Sequence, residues 1–443
     1  MKKFFLSVLF VIVVIAAQAQ AVNIRISIPD YTESELTFCS QFGDNSRIID
    51  TLITDNQGLV VYKPTNLTYG VYRLYLQDEE YFEIIVNEPE ISLSLLAATP
   101  MESMQVITSE ENKIFYGFLQ KNSRLKKQND ALVSFLANYP QGKLYKQVQK
   151  EYNKVLKQQE GLTESIYSSY PKSFAARMIR YYKAPVFPPD VIAGGNEALY
   201  LRDNFFKLYP CDDTLLINSP VYSNITINYL KLFSVNGDYK ASVAGFTKAA
   251  ENLLTHVAGN EKLQAHFLNI LINGFESLQL FDVADMLLAK FGSQCLNSDN
   301  MNTRYKNVTE MKEGVEAPIL FVKNSKSELV PYAFEKKTLV VFWATWCDHC
   351  RQTIPELNDY LKNHSSDELN VVLISLDTDP GELKRFIAEN SISIPVQCDF
   401  RSWSGTNVVN YMVYATPFFY LIDENGRIIA KPHDYNELIE LIK

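Results

Sequence analysis

The sequence predicts a multi-domain chain with an N-terminal antiparallel β-sandwich, a central all-α domain and a C-terminal α/β domain. Three observations predict it. Apolar residues recur with a period of two from Val22 to about Leu96, and with a helical period from about Ser109 to Lys290. After Glu316, strand and helix patterns alternate. A length of 443 residues also exceeds one ordinary core, at about 150 residues per domain. The predicted spans are a leader at 1–19, the sandwich at 20–100, the helical domain at 108–290, a linker at 291–314 and the α/β domain at 315–443.

The leader has a positive start, Lys2 and Lys3, and an almost wholly apolar run from Phe4 to Ala17. That run is 14 residues long, short of the about 20 that span a bilayer. Ala17-Gln18-Ala19 and Ala19-Gln20-Ala21 both offer the small-x-small pattern that a signal peptidase cuts. A cleaved signal peptide and a periplasmic protein are therefore expected. The first cysteine, Cys39, lies well past the cleavage region, so no lipid-accepting cysteine would open the mature chain. Loss of two lysines would take the formal charge from -9 to -11, and no basic run offsets it. Such a surface repels phosphate backbones, so nucleic acid is excluded as an expected partner.

In the first domain Val22, Ile24, Ile26 and Ile28 alternate with polar residues, as do Tyr72, Leu74 and Leu76, then Phe82, Ile84 and Val86. Turn residues such as Asp55-Asn56-Gln57-Gly58 separate seven such strands. In the second domain Val243, Phe246, Ala250, Leu253 and Val257 step by three and four, painting one apolar stripe. Its many Tyr and Phe residues are expected to pack the core, and His256 and His266 read as ordinary residues. Phe291 to Glu316 is polar and reads as the linker. In the third domain the run Leu339 to Trp343 predicts a buried parallel strand, followed by a helix to about Asn363 and a strand at Val371 to Leu376. A helix opening at Asp379-Pro380, short strands at Ile394 to Val396, Phe418 to Ile422 and Arg427 to Ala430, and a helix from Tyr435 complete it.

The most informative stretch is Phe342-Trp343-Ala344-Thr345-Trp346-Cys347-Asp348-His349-Cys350. A buried strand running into a helix puts Cys347 at the helix N-terminus, where free N–H groups and the helix dipole stabilise a thiolate. The dipole supplies only about 0.3–1 kcal/mol, so neighbours must tune the rest. A protonated His349 would favour the thiolate and Asp348 would oppose it. Cys350, one turn on, can attack a mixed disulfide on Cys347 or close an internal one. The competing readings each miss a part. Zinc needs four ligands and no second CxxC or Cys/His pair is present, and haem attachment needs His where this chain has Arg351. A peroxidatic motif is absent, and a purely structural disulfide at a helix start is rare. No metal and no cofactor is expected.

Residues from Ala317-Pro318 to Lys443 resemble the exported thioredoxin-like reductases of the redoxin superfamily, the cytochrome c maturation type. The FWATWC lead-in, the CxxC, Pro355 and Ala415-Thr416-Pro417 before a strand carry that resemblance. It implies a thioredoxin fold, Cys347 and Cys350 as the catalytic pair, and a cis Pro417 facing them across a groove. There Thr416 would offer its backbone to an extended substrate, with Trp346, Thr416 and Pro417 as substrate contacts. Two positions depart from cytoplasmic thioredoxins: Val341 replaces their buried Asp, and Asp-His replaces Gly-Pro between the cysteines. A His before the second Cys resembles strongly oxidising members. The expected activity is reduction or isomerisation of disulfides. A disulfide-forming oxidase, or a scaffold with a vestigial redox domain, is the alternative.

The resemblance implies disulfide-bearing exported proteins as substrates and an upstream membrane or periplasmic thiol as electron donor. The front half is more loosely similar to domains that precede redoxin modules in exported bacterial proteins. It is expected to dock partners or form a homo-oligomer. Cys398 is expected to be a buried thiol. Pairing of Cys211 with Cys295 stays open, since spacing does not establish connectivity.

Overall fold

Alternating burial builds the first strands. In β1 (Asn23–Ser27) Ile24 and Ile26 are buried and Arg25 is exposed, the pattern of a strand with one wet face. It is followed by β2 (Glu35–Phe42), β3 (Asn45–Ile53), β4 (Leu59–Tyr62), β5 (Gly70–Tyr75), β6 (Tyr81–Val86), β7 (Glu90–Ser94) and β8 (Gln105–Thr108). They form two four-stranded sheets, ordered β4-β1-β7-β8 and β3-β2-β5-β6. The first sheet is mixed rather than antiparallel throughout, because β1 pairs with β7 in parallel, Ile24 opposite Ile91. The sequence pattern also missed β8, an edge strand with no fully buried side chain and hence no apolar alternation.

The chain is described by a computed structural model at residues 22–42, 45–77, 80–294, 299–364 and 368–443. The expected leader and Cys295 lie outside the described residues. Two compact units divide at Ala249 and Ala250, inside the helix Tyr239–His256 and not at the expected boundary near residue 290.

The first unit joins its sheets to helices through buried polar side chains. Asn112, in the helix Glu110–Asn138, accepts from the Ile85 N–H at 2.9 Å and donates to its carbonyl at 2.8 Å. Glu111 accepts from Ser173 Oγ and from the N–H groups of Phe174 and Ala175, satisfying free donors at the start of the helix Phe174–Ile179. Tyr145, Tyr152 and Leu156 of the helix Lys143–Ser169 pack with Leu136 and Ile192, so these aromatics are core residues. Cys211 has no disulfide partner among the described residues, and burial pushes its pKa up to about 12.

The second unit begins with the helices Glu261–Ser277 and Phe281–Phe291. The expected linker is instead largely a third helix, Asp299–Glu310. Its polar composition hid it, because its buried positions include Arg304 and Asn307. His266 is buried on the first of these helices, and burial lowers its pKa from 6.5 to about 4. The unfolded chain takes up this proton near pH 6.5 and the folded chain only near pH 4. The stability His266 contributes is complete above about pH 6.5 and is lost as pH falls toward 4, about 3 kcal/mol in all. Denaturant midpoints of wild type and His266→Gln between pH 7 and 4.5 check this. The wild type is expected to show the steeper decline, and parallel declines would contradict it.

The rest of the second unit is an α/β domain. A hairpin of β9 (Phe321–Lys323) and β10 (Leu329–Pro331) precedes β11 (Lys337–Trp343), β12 (Leu369–Ser375), β13 (Val396–Cys398), β14 (Phe418–Ile422) and β15 (Ile428–Ala430). The sheet order is β13-β12-β11-β14-β15, parallel across β11, β12 and β13 and antiparallel onward. Helices Asp348–Asn363, Pro380–Glu389 and Tyr435–Ile442 contribute Ile354, Leu357, Phe386 and Leu438 to its core. Leu339, Val340, Val341, Phe342 and Trp343 are all fully buried, at about 1.5–3 kcal/mol for each large side chain. Strand β13 lies two residues beyond its expected place, because pairing sets it: Leu373 donates to the Pro395 carbonyl and lies opposite Val396.

Candidate active site

The end of β11 delivers the cysteines. After Trp343 the chain turns through Ala344, Thr345 and Trp346, and Cys347 caps the helix Asp348–Asn363 in an extended conformation. The Cys350 N–H donates to Cys347 Sγ at 3.2 Å, a bond that any negative charge on that sulfur would strengthen. The Arg351 N–H donates to the Cys347 carbonyl at 3.0 Å. Cys347 and Cys350 are joined as a disulfide, with Cα atoms 5.2 Å apart. Cys347 is 9% exposed and Cys350 0%, so an incoming sulfur meets the first before the second. Pro355 sits inside the same helix and removes one backbone donor from it.

Opposite the sulfurs lies the segment before β14. The Thr416–Pro417 peptide is cis, and the Thr416 carbonyl oxygen is 3.3 Å from Cys347 Sγ. Trp346 is 51% exposed beside the pair. Asp348 and His349 are exposed on the first helical turn, and among the described residues neither side chain hydrogen-bonds to a sulfur.

Two residues of this region escaped the sequence reading. Asp377 is 2% exposed and brackets the cysteine loop from behind. Its carboxyl accepts from Thr345 N–H at 3.1 Å, from Thr345 Oγ1 at 2.6 Å and from Ser375 Oγ at 2.7 Å. A buried acid therefore does stand near the motif although Val341 is apolar, but it bonds the loop and not the sulfurs. Its signal was an acid directly after an apolar parallel strand, where such sheets place their sites. Trp403 is 44% exposed and lies 6.1 Å from Trp346 between ring centroids, an aromatic pair at the mouth of the site. Nothing local in the sequence links these two tryptophans.

Cys398 is a free, half-buried thiol at the end of β13. Phe400 N–H donates to its sulfur at 3.3 Å, and burial raises its pKa. It is a weak nucleophile in that setting.

The comparisons with known proteins fall on this domain. The family model described as thioredoxin-like matches residues 335–428. The chain is similar to the thiol-disulfide oxidoreductase ResA of Bacillus cereus, 31% identical over 128 residues, which are 28% of this chain and 70% of that protein. It is also similar to the thioredoxin-like protein YneN of Bacillus subtilis, 31% identical over 131 residues, 28% of this chain and 74% of that one. Among solved structures, a thiol-disulfide oxidoreductase from Bacteroides fragilis is 26% identical, covering 29% of this chain and 97% of its own, with a TM-score of 0.27.

Proposed function

The chain belongs to the thiol-disulfide oxidoreductases of the thioredoxin-like family, and from that premise we propose that its Cys347/Cys350 pair reduces or isomerises disulfides of exported proteins. The observation that carries this reading is the cysteine pair itself, with Cys347 at a helix start under the Cys350 amide and 3.3 Å from the Thr416 carbonyl. The Cys347 thiolate attacks one sulfur of a substrate disulfide. That S–S bond breaks and the other substrate sulfur leaves as a thiolate. Cys350, having lost its proton, then attacks Cys347 Sγ and releases the second substrate thiolate. The substrate gains two electrons and the enzyme pair closes into a disulfide, the state seen here. An external dithiol must reopen it, and we assign that role to a membrane or periplasmic donor.

Thr416 and Pro417 form one wall of the proposed substrate groove and Trp346 its lip. His349 and Asp348 are the polar neighbours of the pair on the first helical turn, the positions from which side chains would tune the thiol. The composition of residues 1–19 supports the periplasm as the compartment. The two N-terminal sheets, read as a sandwich, would serve docking or self-association. Ile48, Ile49 and Ile53 stand exposed on the edge strand β3, an unusual apolar edge for a free surface.

The test is turnover of insulin-type disulfides together with a redox titration. A reductase is expected to turn over such substrates with a potential near the roughly -270 mV end of this fold's range. A potential near roughly -120 mV would favour the oxidase instead. Absence of turnover would leave a scaffold.

A further inference from the structure

The helix Asp299–Glu310 lies outside the region matched by the family model, yet it bonds along the segment that leads into Thr416. Asn300 Nδ2–H donates to the Tyr414 carbonyl at 3.0 Å. One turn on, the Arg304 guanidinium lies over the Tyr414 ring, 5.2 Å from its centroid. After another turn, buried Asn307 donates to the carbonyls of Tyr411 at 3.2 Å and Met412 at 3.1 Å, and to the Tyr420 hydroxyl. Residues 300, 304 and 307 share one helix face.

Arg304 is itself held from behind. Its side chain is 8% exposed, pairs with Glu276 and lies 3.7 Å from Asp285. Lys431, just past β15, donates to Asn307 Oδ1 at 3.0 Å and so locks the helix to the sheet. One helix thus bonds the carbonyls of Tyr411, Met412 and Tyr414, in a stretch that precedes β14 and cannot draw donors from a strand ladder. Two residues later comes Thr416, whose carbonyl faces Cys347 Sγ.

We propose that the helix Asp299–Glu310 is a positioning element of the redox site. Asn300, Arg304 and Asn307 set where the Thr416 strand end stands against the cysteine pair, and hence the width of the groove that receives an extended polypeptide. None of the three touches a sulfur in any described contact, so they act through Tyr414 and the loop and not on the chemistry. The inference rests on the dithiol reading above. It matters because a shift of about 1 Å in such a wall can cost on the order of a hundredfold in rate.

The experiment compares the full chain with Asn300→Ala and Arg304→Lys in steady-state reduction of a disulfide peptide. Cys347 alkylation by iodoacetamide and denaturant midpoints are measured alongside. Arg304→Lys keeps the charge for Glu276 and Asp285 but loses the guanidinium that lies over Tyr414. We expect KM to rise about tenfold in each variant, kcat to stay within about twofold, and the alkylation rate to be unchanged. A helix that only stabilised the fold would lower the denaturation midpoint and leave KM alone. Should Arg304→Lys not fold, Asn300→Ala decides alone, since its side chain is exposed. Unchanged KM in a folded variant, with an active wild type, overturns the inference. A wild type without turnover overturns the dithiol reading and this inference with it.

Discussion

Cys350→Ser is expected to accumulate a covalent complex with its substrate, and Cys347→Ser to capture nothing. The argument follows the exposures and the hydrogen bond at the helix start. Cys347, at 9%, is the sulfur a substrate can reach, and it accepts the Cys350 amide hydrogen that would stabilise a thiolate. Cys350, at 0%, reaches only its neighbour, so its removal leaves attack intact and abolishes release. Both variants should lose multiple turnover by on the order of a thousandfold or more, because nucleophile and resolving thiol act as a unit. Non-reducing electrophoresis after incubation with a disulfide protein separates them: a shifted band that a reductant removes should form with Cys350→Ser alone. Equal capture by both variants would refute the assigned order of attack.

Asp377→Ala carries the second large expectation, a loss of about 3 kcal/mol in stability together with a fall in turnover. The carboxyl is buried and accepts from the Thr345 amide, the Thr345 hydroxyl and the Ser375 hydroxyl. Alanine would leave three donors without their acceptor inside the protein, and each buried unsatisfied donor costs about 1–3 kcal/mol before relaxation. Thr345 is two residues from Cys347, so loosening it moves the nucleophile as well. A further tie, from Arg351 Nη1 to the Thr345 carbonyl at 3.1 Å, would remain. Urea unfolding of the variant should show an earlier midpoint with an unchanged slope. An unaltered midpoint would mean that Asp377 is not the bracket described.

The C-terminal domain was legible because its signals are local. Leu339 to Trp343 is buried on both faces and reads as a continuous apolar run, while the helix Asp348–Asn363 follows directly from the motif. The helix Pro380–Glu389 announced itself through Asp379, whose side chain caps the Gly381 N–H at 2.7 Å. The helix Asp299–Glu310 gave no such warning. Its inward face is built from an arginine and an asparagine that are affordable in the interior only because Glu276, Tyr414 and the Tyr411 carbonyl meet them there. A reading that equates polar with exposed must call such a segment a loop.

By itself the sequence determined that strands come first, helices next and an α/β domain last, and that two cysteines lie one turn apart where a buried strand enters a helix. Hydrophobic period and short motifs act between residues a few positions apart, so they survive in one dimension. Only the tertiary structure decided that β1 lies parallel to β7, that Asp377 stands behind Thr345, that Trp403 meets Trp346, and that a supposed linker braces the Thr416 loop. Each of these joins residues 30 to more than 100 positions apart. Such a pair exists only once the sheet has brought its ends together, and no periodicity along the chain encodes it.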